Sequence, residues 1–521
     1  MWDNKSLRQL MQEEKEKDSN TKTESIEYLS ISIINRSTRI NPVEKDYECG
    51  YNVEDGTKTA VEEEEDGDDG VEKNDEKVEF NPELWLPITE SRKGNVWFCV
   101  FHLISSGLGI QSLALPFAFV SLGWEWGITW LIIAFIWQLY TIWLLVQLHQ
   151  SNSGHRYSRY LQLAITAFGP KAGKLLAILP IMYLSGGTCV MLLITGGTTM
   201  QNLHHILCEN DLFCTAKSLT TLEWYLVFIC LAIAIAQLPN LNSIAWVSLV
   251  SAVTALVYCS LIWSISISEG RPSNAEYRHV VKDTETGVSR VMTVISAVGI
   301  VAFSFRGHNL VLEIQGTLSA SKKDPTYRRM WRGVLVSYTI IALCLFSLAI
   351  AGFWTYGTLM PKAGLLNAFR QFHGNRTSNL TLAVIYIFFI INSLCSFQIY
   401  AMPVFDNLEL RYMSIIQKPC TRCIRTVLRL FFGGLAFFIS VAVPFLPVLA
   451  PLIGGIALPV TFAYPCFMWI LLKKPKAFSS MWWINIVLGC LGILLSVLLV
   501  ISAVFNLVTQ GISANFFHPK P

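Results

Sequence analysis

One apolar segment, AFSFRGHNLVLEIQ at residues 302–315, contains an arginine, a histidine and a glutamate. These residues, Arg306, His308 and Glu313, lie within eight positions of one another. An arginine offers a planar set of N–H donors to a carboxylate, whereas a histidine, or a glutamate shielded from water, takes up and releases protons near neutral pH. The segment therefore predicts recognition of an anionic group, movement of a proton, or both.

The apolar residues around this segment predict that its charges lie at membrane depth. Of the acids after residue 80, Glu313 is the one placed deep in an apolar run, and of the bases it is Arg306. A charge at the bilayer centre costs at least about 2.5–3.5 kcal/mol, so it faces a cavity or a partner. Other acids are predicted at the ends of runs, namely Glu125, Glu223 and Asp406. Glu313 and the two deep histidines, His308 and His102, are therefore candidates for proton coupling, or else structural residues.

Three roles for Arg306 are open on the sequence alone. Its guanidinium could bind the carboxylate or an acidic side chain of a ligand. It could instead satisfy backbone carbonyls where the helix is interrupted, or occupy the place of a bound cation. Glu313 lies seven residues further on, about 10 Å along a continuous helix, so a close pair between the two is not expected.

Eleven apolar runs follow residue 94 and must position these residues. Two of them, 95–122 and 291–316, are interrupted by glycine and polar residues. The continuous runs are 127–148, 174–200, 222–238, 243–267, 333–354, 381–405, 428–446, 451–472 and 482–508. A helix needs about 20 apolar residues to cross a bilayer, and so many runs joined by short basic loops exclude a soluble protein. The sequence predicts an all-α integral membrane protein with eleven transmembrane helices.

The first 83 residues differ in composition from the rest of the chain. Residues 1–80 contain 23 of the 37 acids and 11 of the 40 bases, with the run VEEEEDGDDG at 61–70. Such a segment predicts a disordered acidic tail, and it has no apolar stretch typical of a cleavable signal peptide. We therefore expect a cytoplasmic tail at residues 1–83 and a transmembrane domain at residues 84–521.

The orientation follows from the loops. Lysine and arginine concentrate in alternate loops, which predicts a cytoplasmic N-terminus and, with eleven spans, an extracellular C-terminus. The sequons at Asn375 and Asn379 fall in a loop predicted outside, where glycosylation is expected. Cys208 and Cys214 share another outer loop and could form a disulfide. The isolated CTRC at 420–423 is weak evidence for a metal site, and we expect none.

The two interrupted runs correspond to each other in position. The first carries Gly107 and Gly109 within SSGLGIQS, about 12 residues from Asn95, and the second carries Gly307, about 14 residues from Val291. Irregular backbone at membrane depth survives only where protein or water satisfies it. Matched breaks in spans one and six are typical of secondary transporters built from two inverted repeats of five helices.

The unwound segments would then line a cavity at the middle of the membrane. Free N–H groups at the starts of half-helices suit a carboxylate, and free carbonyls suit an ammonium group. Ser185 and Ser393 are further polar residues near the expected cavity, whereas Gly186, Gly187, Gly196 and Gly197 are expected to pack helices together. The predicted substrate-binding residues are Ser106, Gly107, Leu108, Gly109, Tyr183, Phe303, Ser304, Phe305, Arg306, Asn392 and Ser396. Phe303 and Phe305 could close the cavity, or simply pack.

Several stretches resemble the amino acid/auxin permease family, and within it the lysine/histidine transporter-like branch. They include FHLISSGLG, LALPFAFVSLGW, QLPNLNSIA, FSFRGHNLVLEIQ and FQIYAMPVFD, and the resemblance covers about residues 84–518. It implies eleven spans in a LeuT-type 5+5 inverted repeat, proton-driven amino acid uptake and a plasma-membrane location. Better-known relatives have a small or apolar residue where this chain has Arg306, so the charge preferred in a substrate stays open.

The sequence as a whole predicts a secondary active transporter. It would couple inward proton movement to symport of neutral or acidic amino acids by alternating access. An enzyme is not expected, because one deep acid provides no cluster of catalytic groups, and no ATP-binding motif indicates a pump. Two alternatives are open: a transporter of another organic anion, such as an auxin-like carboxylate, and an amino acid receptor that does not transport. We expect a monomer in the lipid bilayer, of the plasma or an internal membrane, with no cofactor and no nucleic acid.

Overall fold

A computed structural model of the chain describes residues 92, 94–151, 154–208, 219–238, 245–277, 287–305, 307–319, 324–446, 450–510 and 516–517. Helices are the regular elements throughout these residues, which confirms the predicted all-helical fold. The predicted acidic tail at 1–83 lies outside the described residues, and its separation from the transmembrane domain stays a prediction.

Fifteen α-helices are present in the described part of the chain. They are α1 (Val96–Gly107), α2 (Ile110–Leu148), α3 (Tyr160–Phe168), α4 (Pro170–Cys208), α5 (Thr221–Ala236), α6 (Ala245–Ser268), α7 (Gly287–Ser304), α8 (His308–Gly316), α9 (Thr326–Tyr356), α10 (Leu365–His373), α11 (Asn379–Ile416), α12 (Arg422–Ala442), α13 (Ala450–Phe462), α14 (Tyr464–Lys473) and α15 (Ser480–Gln510).

Nine helices within the described ranges are long and apolar enough to cross a membrane, when α7 with α8 and α13 with α14 are each counted once. Helices α1 and α5 are shorter apolar helices. α2 has 39 residues, so it would be about 58 Å long against about 30 Å of hydrocarbon. Gly123, at φ 70°, divides it into two pieces. The second piece, residues 124–148, is long enough to cross the membrane on its own, at about 38 Å.

The helices surround a continuous apolar core. α11 packs against α4 and α6, while α2 packs against α7 and α9. Large apolar side chains such as Trp126, Ile136, Leu343 and Leu435 are exposed on the outside of the bundle. An apolar exterior of this kind suits a lipid environment, because lipid tails contact it as favourably as a protein core would.

The two interrupted spans run in opposite directions. The Gly94 amide, just before α1, donates a hydrogen bond of 3.0 Å to the carbonyl of Thr317, just after α8. The beginning of the first span therefore lies beside the end of the other. Two spans with equivalent breaks and opposite directions are what an inverted repeat requires.

Candidate functional site

The first interruption consists of two extended residues between α1 and α2. α1 ends at Gly107, and Leu108 (φ −110°, ψ 128°) and Gly109 (φ 175°, ψ −152°) follow in extended backbone before α2 begins at Ile110. The break leaves the last carbonyls of α1 without helical partners. It lies deep in the protein, because Leu108 is fully buried.

Side chains from elsewhere satisfy those carbonyls. The Tyr400 hydroxyl of α11 donates a 2.7 Å hydrogen bond to the carbonyl of Ser106. The Gln111 amide lies 3.4 Å from the same carbonyl and 3.3 Å from the carbonyl of Gly107. The carbonyls that the sequence suggests for an ammonium group are therefore already hydrogen-bonded within the protein.

The second interruption depends on a glycine. α7 ends at Ser304, and Gly307 (φ 125°, ψ −1°) precedes α8, which begins at His308. This backbone conformation is open to glycine and strained for any other residue. Arg306 lies outside the described residues, so its predicted role stays a prediction. A Cβ atom at Gly307 would lie 3.5 Å from Ser106 Oγ, which places the two interruptions against each other.

Polar side chains tie the first interruption to neighbouring helices. The Asn392 amide of α11 donates to both the carbonyl and the hydroxyl of Ser251, at 3.0 Å each. The Ser396 hydroxyl lies 3.3 Å from the carbonyl of Ser105. Two of the predicted binding residues, Asn392 and Ser396, are thus brought to the break in α1, and both are buried.

Of the other predicted binding residues, Ser304 and Phe305 are buried, whereas Tyr183 and Phe303 are only half-buried. Ser304 is buried, and its hydroxyl lies 2.9 Å from the carbonyl of Ile300 and 3.4 Å from that of Gln111. Phe305 packs on Phe135 of α2 with ring centroids 6.0 Å apart, so its ring lies in the core. Tyr183 is only half-buried, on the face of α4 that also exposes Leu176 and Leu179. Phe303 is half-buried, and its ring would be 3.0 Å from a Cβ atom at Gly454 of α13.

The glycines of α4 fall into two pairs with different surroundings. A Cβ atom at Gly196 or Gly197 would collide with Phe228 or Tyr225 of α5, so this pair packs helices as predicted. Gly186 and Gly187 have no atom within 4 Å of such a position. The expectation that they pack against a neighbouring helix is wrong, because their face of α4 is open.

The two histidines are each held by one hydroxyl. His102 Nδ1 lies 2.6 Å from Ser248 Oγ of α6. His308 Nε2 lies 2.9 Å from Thr141 Oγ1 of α2. The Thr141 hydroxyl has one hydrogen and also lies 3.0 Å from the carbonyl of Gln138 and 3.2 Å from that of Trp137, so it can donate to a carbonyl or to the ring. His308 Nδ1 is buried and has no hydrogen-bond partner among the described residues.

Glu313 lies apart from the two breaks, in a cluster with two residues that the sequence did not connect to it. Arg159, just before α3, and Asp406 of α11 are the charges that act on its carboxyl. Arg159 Nη2 lies 3.6 Å from Asp406 Oδ2. Asp406, expected at the end of a span, lies inside α11, which continues ten residues beyond it. We call these three buried residues the Glu313 cluster.

A second group of buried charges lies one turn further along α11. Glu409 pairs with Arg425 at 3.1 Å and with Arg429 at 3.9 Å, both from α12. Arg429 also donates to the carbonyls of Ala236 and Leu238 at the end of α5. This Glu409 cluster fastens three helices together.

The loop after α2 is held by a neutral histidine. His149 is fully buried, and its Nδ1 lies 3.0 Å from the carbonyl of Tyr157. Burial lowers the pKa of His149 to about 4, with a smaller effect of the same sign from Arg156 and Arg92 and an opposite effect from the Tyr157 carbonyl. His149 therefore stays uncharged near neutral pH and positions the loop that leads to Arg159.

The predicted modification residues lie at exposed positions where they are described. Asn375 and Asn379 are both exposed, the second at the first position of α11. Cys208, at the end of α4, is disulfide-bonded. Its predicted partner Cys214 lies outside the described residues. Glycosylation of the two asparagines stays a prediction.

A family model described as transmembrane amino acid transporter protein matches residues 92–508. The chain belongs to this family. Lysine histidine transporter-like 8 of Arabidopsis thaliana is 48% identical over 443 residues, which cover 85% of this chain and 85% of that protein. Lysine histidine transporter-like 7 of the same plant is 46% identical over 442 residues, with coverages of 84% and 90%. The predicted family resemblance is therefore confirmed.

One solved structure with similarity is a substrate-bound, outward-open Na+-coupled sialic acid symporter. Its TM-score is 0.48 at 12% sequence identity, over 82% of this chain and 93% of that one. The fold is therefore described from the helices of this chain and not from this similarity. Membership of the amino acid transporter family, together with the apolar helices, makes this chain a multi-pass membrane transporter.

Several residues of this transporter were not singled out from the sequence. Tyr400, Gln111 and Thr141 act by hydrogen-bonding a break or a histidine, and their identity alone does not indicate such a role. For Arg159 and Asp406, in contrast, the sequence contained evidence that could have placed them near Glu313. The predicted topology places Arg159, the end of span eight and the second half of span six on the same membrane side, so a charge cluster there could have been expected.

Proposed function

We propose that this chain is a proton-coupled amino acid symporter that works by alternating access. The observation that carries the proposal is the contact between two interrupted helices deep in the bundle, near Ser106 and Gly307. Broken helices at the middle of a membrane are the usual place where secondary transporters bind substrate and coupling ions. The family and the two plant relatives, both named as lysine histidine transporter-like, support an amino acid as the substrate.

The architecture that we propose has eleven spans, ten of them forming two inverted repeats of five. α1 with the first piece of α2 is span one, and α7 with α8 is span six. The opposite directions of these two spans support the repeat, and so does Gly123, which separates span one from span two. The short helix α5 would be span four, and α15 the additional eleventh span.

Substrate recognition in this proposal rests on backbone and neutral side chains. The first N–H groups of the half-helices that begin at Ile110 and His308 suit the carboxylate of an amino acid. Tyr400, Gln111 and Asn392 provide polar groups nearby. Neutral side chains at the breaks favour a zwitterion with a neutral side chain, and Arg306 would extend the range to acidic ones.

The coupling ion in this proposal is the proton. His102, His308 and Glu313 are buried, ionisable and located on the two broken spans. An inward proton gradient, with the N-terminus in the cytoplasm, would drive uptake across the plasma membrane. The exposed positions of Asn375 and Asn379 are consistent with an extracellular loop that carries sugar.

A reconstitution assay tests this function. The purified full chain is placed in liposomes, the outside is acidified, the voltage is clamped, and uptake of each of the twenty amino acids is measured with and without sodium. We expect acid-stimulated, sodium-independent accumulation of at least one amino acid, which is absent in protein-free liposomes. Binding without uptake would indicate a receptor, and uptake of only another organic anion would indicate a different carrier; either outcome contradicts the proposal.

Arg306→Ala separates two roles of the arginine in the same assay. Loss of glutamate uptake with alanine uptake intact would assign Arg306 to the substrate side chain. Equal loss of both would assign it to the carboxylate or to the backbone of the break.

A further inference from the structure

The Glu313 cluster combines deep burial with incomplete hydrogen bonding. Glu313, Arg159 and Asp406 are each at most 5% exposed. Glu313 Oε2, Asp406 Oδ2, and Nε and Nη2 of Arg159 are buried and have no hydrogen-bond partner among the described residues, although Arg159 Nη2 and Asp406 Oδ2 form an ion pair at 3.6 Å. Buried charged groups are normally satisfied, because each unpaired one costs several kcal/mol. Charged groups that lie close together but make fewer hydrogen bonds than they could are able to change their ion-pair partners.

The backbone brings α8 and the start of α3 into close contact. A Cβ atom at Gly316 would lie 2.9 Å from the Cβ atom of Ser158, so only glycine allows this approach. Glu313 lies one helical turn before Gly316, and Arg159 directly follows Ser158. The Tyr160 hydroxyl donates to the carbonyl of Val460, which fixes the start of α3 against α13. The packing of α8 against the start of α3 therefore places Glu313 and Arg159 next to each other.

The histidines on helices that pack against α8 do not pair with Glu313. His102 of α1 bonds Ser248, and His308 of α8 itself bonds Thr141 of α2. His149, after the end of α2, bonds a backbone carbonyl and is uncharged near neutral pH. α13 contributes no ionisable side chain from Ala450 to Phe462.

The remaining charged groups around α8 have partners of their own. Arg329 and Arg332, near the start of α9, pair with Asp324. Arg425 and Arg429 act on Glu409 and Asp406 rather than on Glu313. Tyr338 of α9 accepts a hydrogen bond from Gln138. Within the described part of the chain, Arg159 and Asp406 are thus the charged groups that act on the Glu313 carboxyl.

Glu313 and Asp406 are both near one arginine, Arg159. Arg159 is closer to Asp406 than to Glu313. Arg159 is ion-paired with Asp406 at 3.6 Å, while no ion pair within 4.0 Å joins it to Glu313 in the described residues. A buried carboxyl without an ion pair is favoured in its neutral form, whereas one that gains an arginine is favoured as the carboxylate. A small movement of Arg159 therefore converts Glu313 from an acid that keeps its proton to one that releases it.

We propose that Glu313 carries the transported proton and that Arg159 controls its release by exchanging Asp406 for Glu313. While Arg159 pairs with Asp406, Glu313 is a neutral carboxylic acid. When the transporter opens towards the cytoplasm, the proton leaves the carboxyl for water, and Arg159 pairs with the resulting carboxylate. This inference rests on the proposed symport and adds Arg159 and Asp406 as positioning residues, which affect the proton through Glu313.

The first test separates proton coupling from substrate movement. Glu313→Gln keeps the shape of the neutral acid and cannot release a proton. In liposomes with an inward proton gradient, we expect it to accumulate no amino acid beyond equal concentrations on both sides. Exchange of labelled for unlabelled amino acid, which needs no net proton movement, should persist. Proton-driven accumulation by Glu313→Gln would overturn the inference.

The second test uses the opposite charges of Asp406 and Arg159, which should shift the pH dependence of uptake in opposite directions. Asp406→Asn removes a negative charge near Glu313, so ionisation becomes easier and the pH at half-maximal uptake should fall by about one unit. Arg159→Met removes the positive charge, so this pH should rise by about one unit. A merely structural pair would lower activity in both variants without moving the pH profile in opposite directions.

Glu409→Gln provides the matched control, because Glu409 is a buried, ion-paired carboxylate on the same helix. It should leave the pH at half-maximal uptake within about 0.3 unit of the wild type, since its charge acts on Asp406 and not directly on Glu313. If Arg159→Met does not fold, Arg159→Lys, which keeps the charge, should retain the wild-type profile, and Asp406→Asn then decides alone. Shifts of the same sign in Asp406→Asn and Arg159→Met, or none in Asp406→Asn, contradict the inference. Failure of the wild type to transport any amino acid would instead refute the proposed function.

Discussion

The two interruptions of the membrane helices look alike in the sequence and differ in what maintains them. At the first, Leu108 and Gly109 are extended, a conformation that any residue adopts, and side chains from other helices bond the exposed carbonyls. At the second, Gly307 takes a backbone conformation that only glycine adopts without strain. One break is therefore maintained by its surroundings and the other by its own residue.

This difference has a consequence for how the breaks respond to substitution. A break that depends on tertiary hydrogen bonds can tolerate a change of its own residues and fails when a distant partner is removed. A break that depends on backbone conformation fails when its glycine is replaced. Four substitutions test the comparison, and uptake in liposomes with the amount of folded protein determined in parallel is the common measurement.

Gly307→Ala should have the largest effect. A non-glycine residue held at φ 125° costs up to about 3 kcal/mol, equivalent to roughly a hundredfold in an equilibrium. Uptake should fall by at least about tenfold, because either the break or the fold around it must change. Gly186→Ala is the matched control, since a Cβ atom there meets nothing within 4 Å. If both variants transport equally well, the glycine at 307 does not maintain the second break.

Thr141→Val should have the second-largest effect. Valine has nearly the same shape as threonine but cannot form the hydrogen bond to His308 Nε2, so a buried ring nitrogen loses its partner. An unsatisfied buried group costs about 1–3 kcal/mol, which should appear as a lower melting temperature and slower uptake. Thr141→Ser keeps the hydroxyl and should behave more like the wild type. Equal losses in both variants would show that the hydrogen bond from the hydroxyl to His308 does not account for the effect.

Tyr400→Phe tests the first break from a distance. The substitution removes the 2.7 Å hydrogen bond to the Ser106 carbonyl and keeps the ring. One hydrogen bond contributes about 0.5–1.5 kcal/mol, so uptake should fall by roughly two- to tenfold, mainly through weaker apparent affinity. Tyr386→Phe, at the other buried tyrosine of the same helix, is the control for loss of a hydroxyl in α11. A larger loss in the control would show that the Ser106 bond is not what matters.

The sequence was sufficient for the parts of this transporter that depend on composition and local conformation. The length and apolarity of the runs predicted the nine helices of the described residues that are long enough to cross a membrane, and glycine in an apolar run marked both breaks. It was insufficient where several helices meet. Asp406 and Arg159 are separated by 247 positions, and only the packing of α8 against the start of α3 brings Arg159 to Glu313. Open space at Gly186 and dense packing at Gly196 likewise depend on which helix lies opposite, which the glycine pairs do not reveal.

Gly109→Ala should have the smallest effect, although the same reasoning from sequence singled out Gly109 and Gly307. The extended backbone at residue 109 accepts alanine, and a Cβ atom there would meet only the tip of the Gln111 side chain at 3.2 Å. Replacing glycine where the conformation allows it stabilises by about 0.4–1 kcal/mol through the unfolded chain, which offsets the displacement of Gln111. Uptake should therefore stay within about twofold of the wild type. If Gly109→Ala is as damaging as Gly307→Ala, the backbone approaches another group at both breaks, and the distinction between them does not hold.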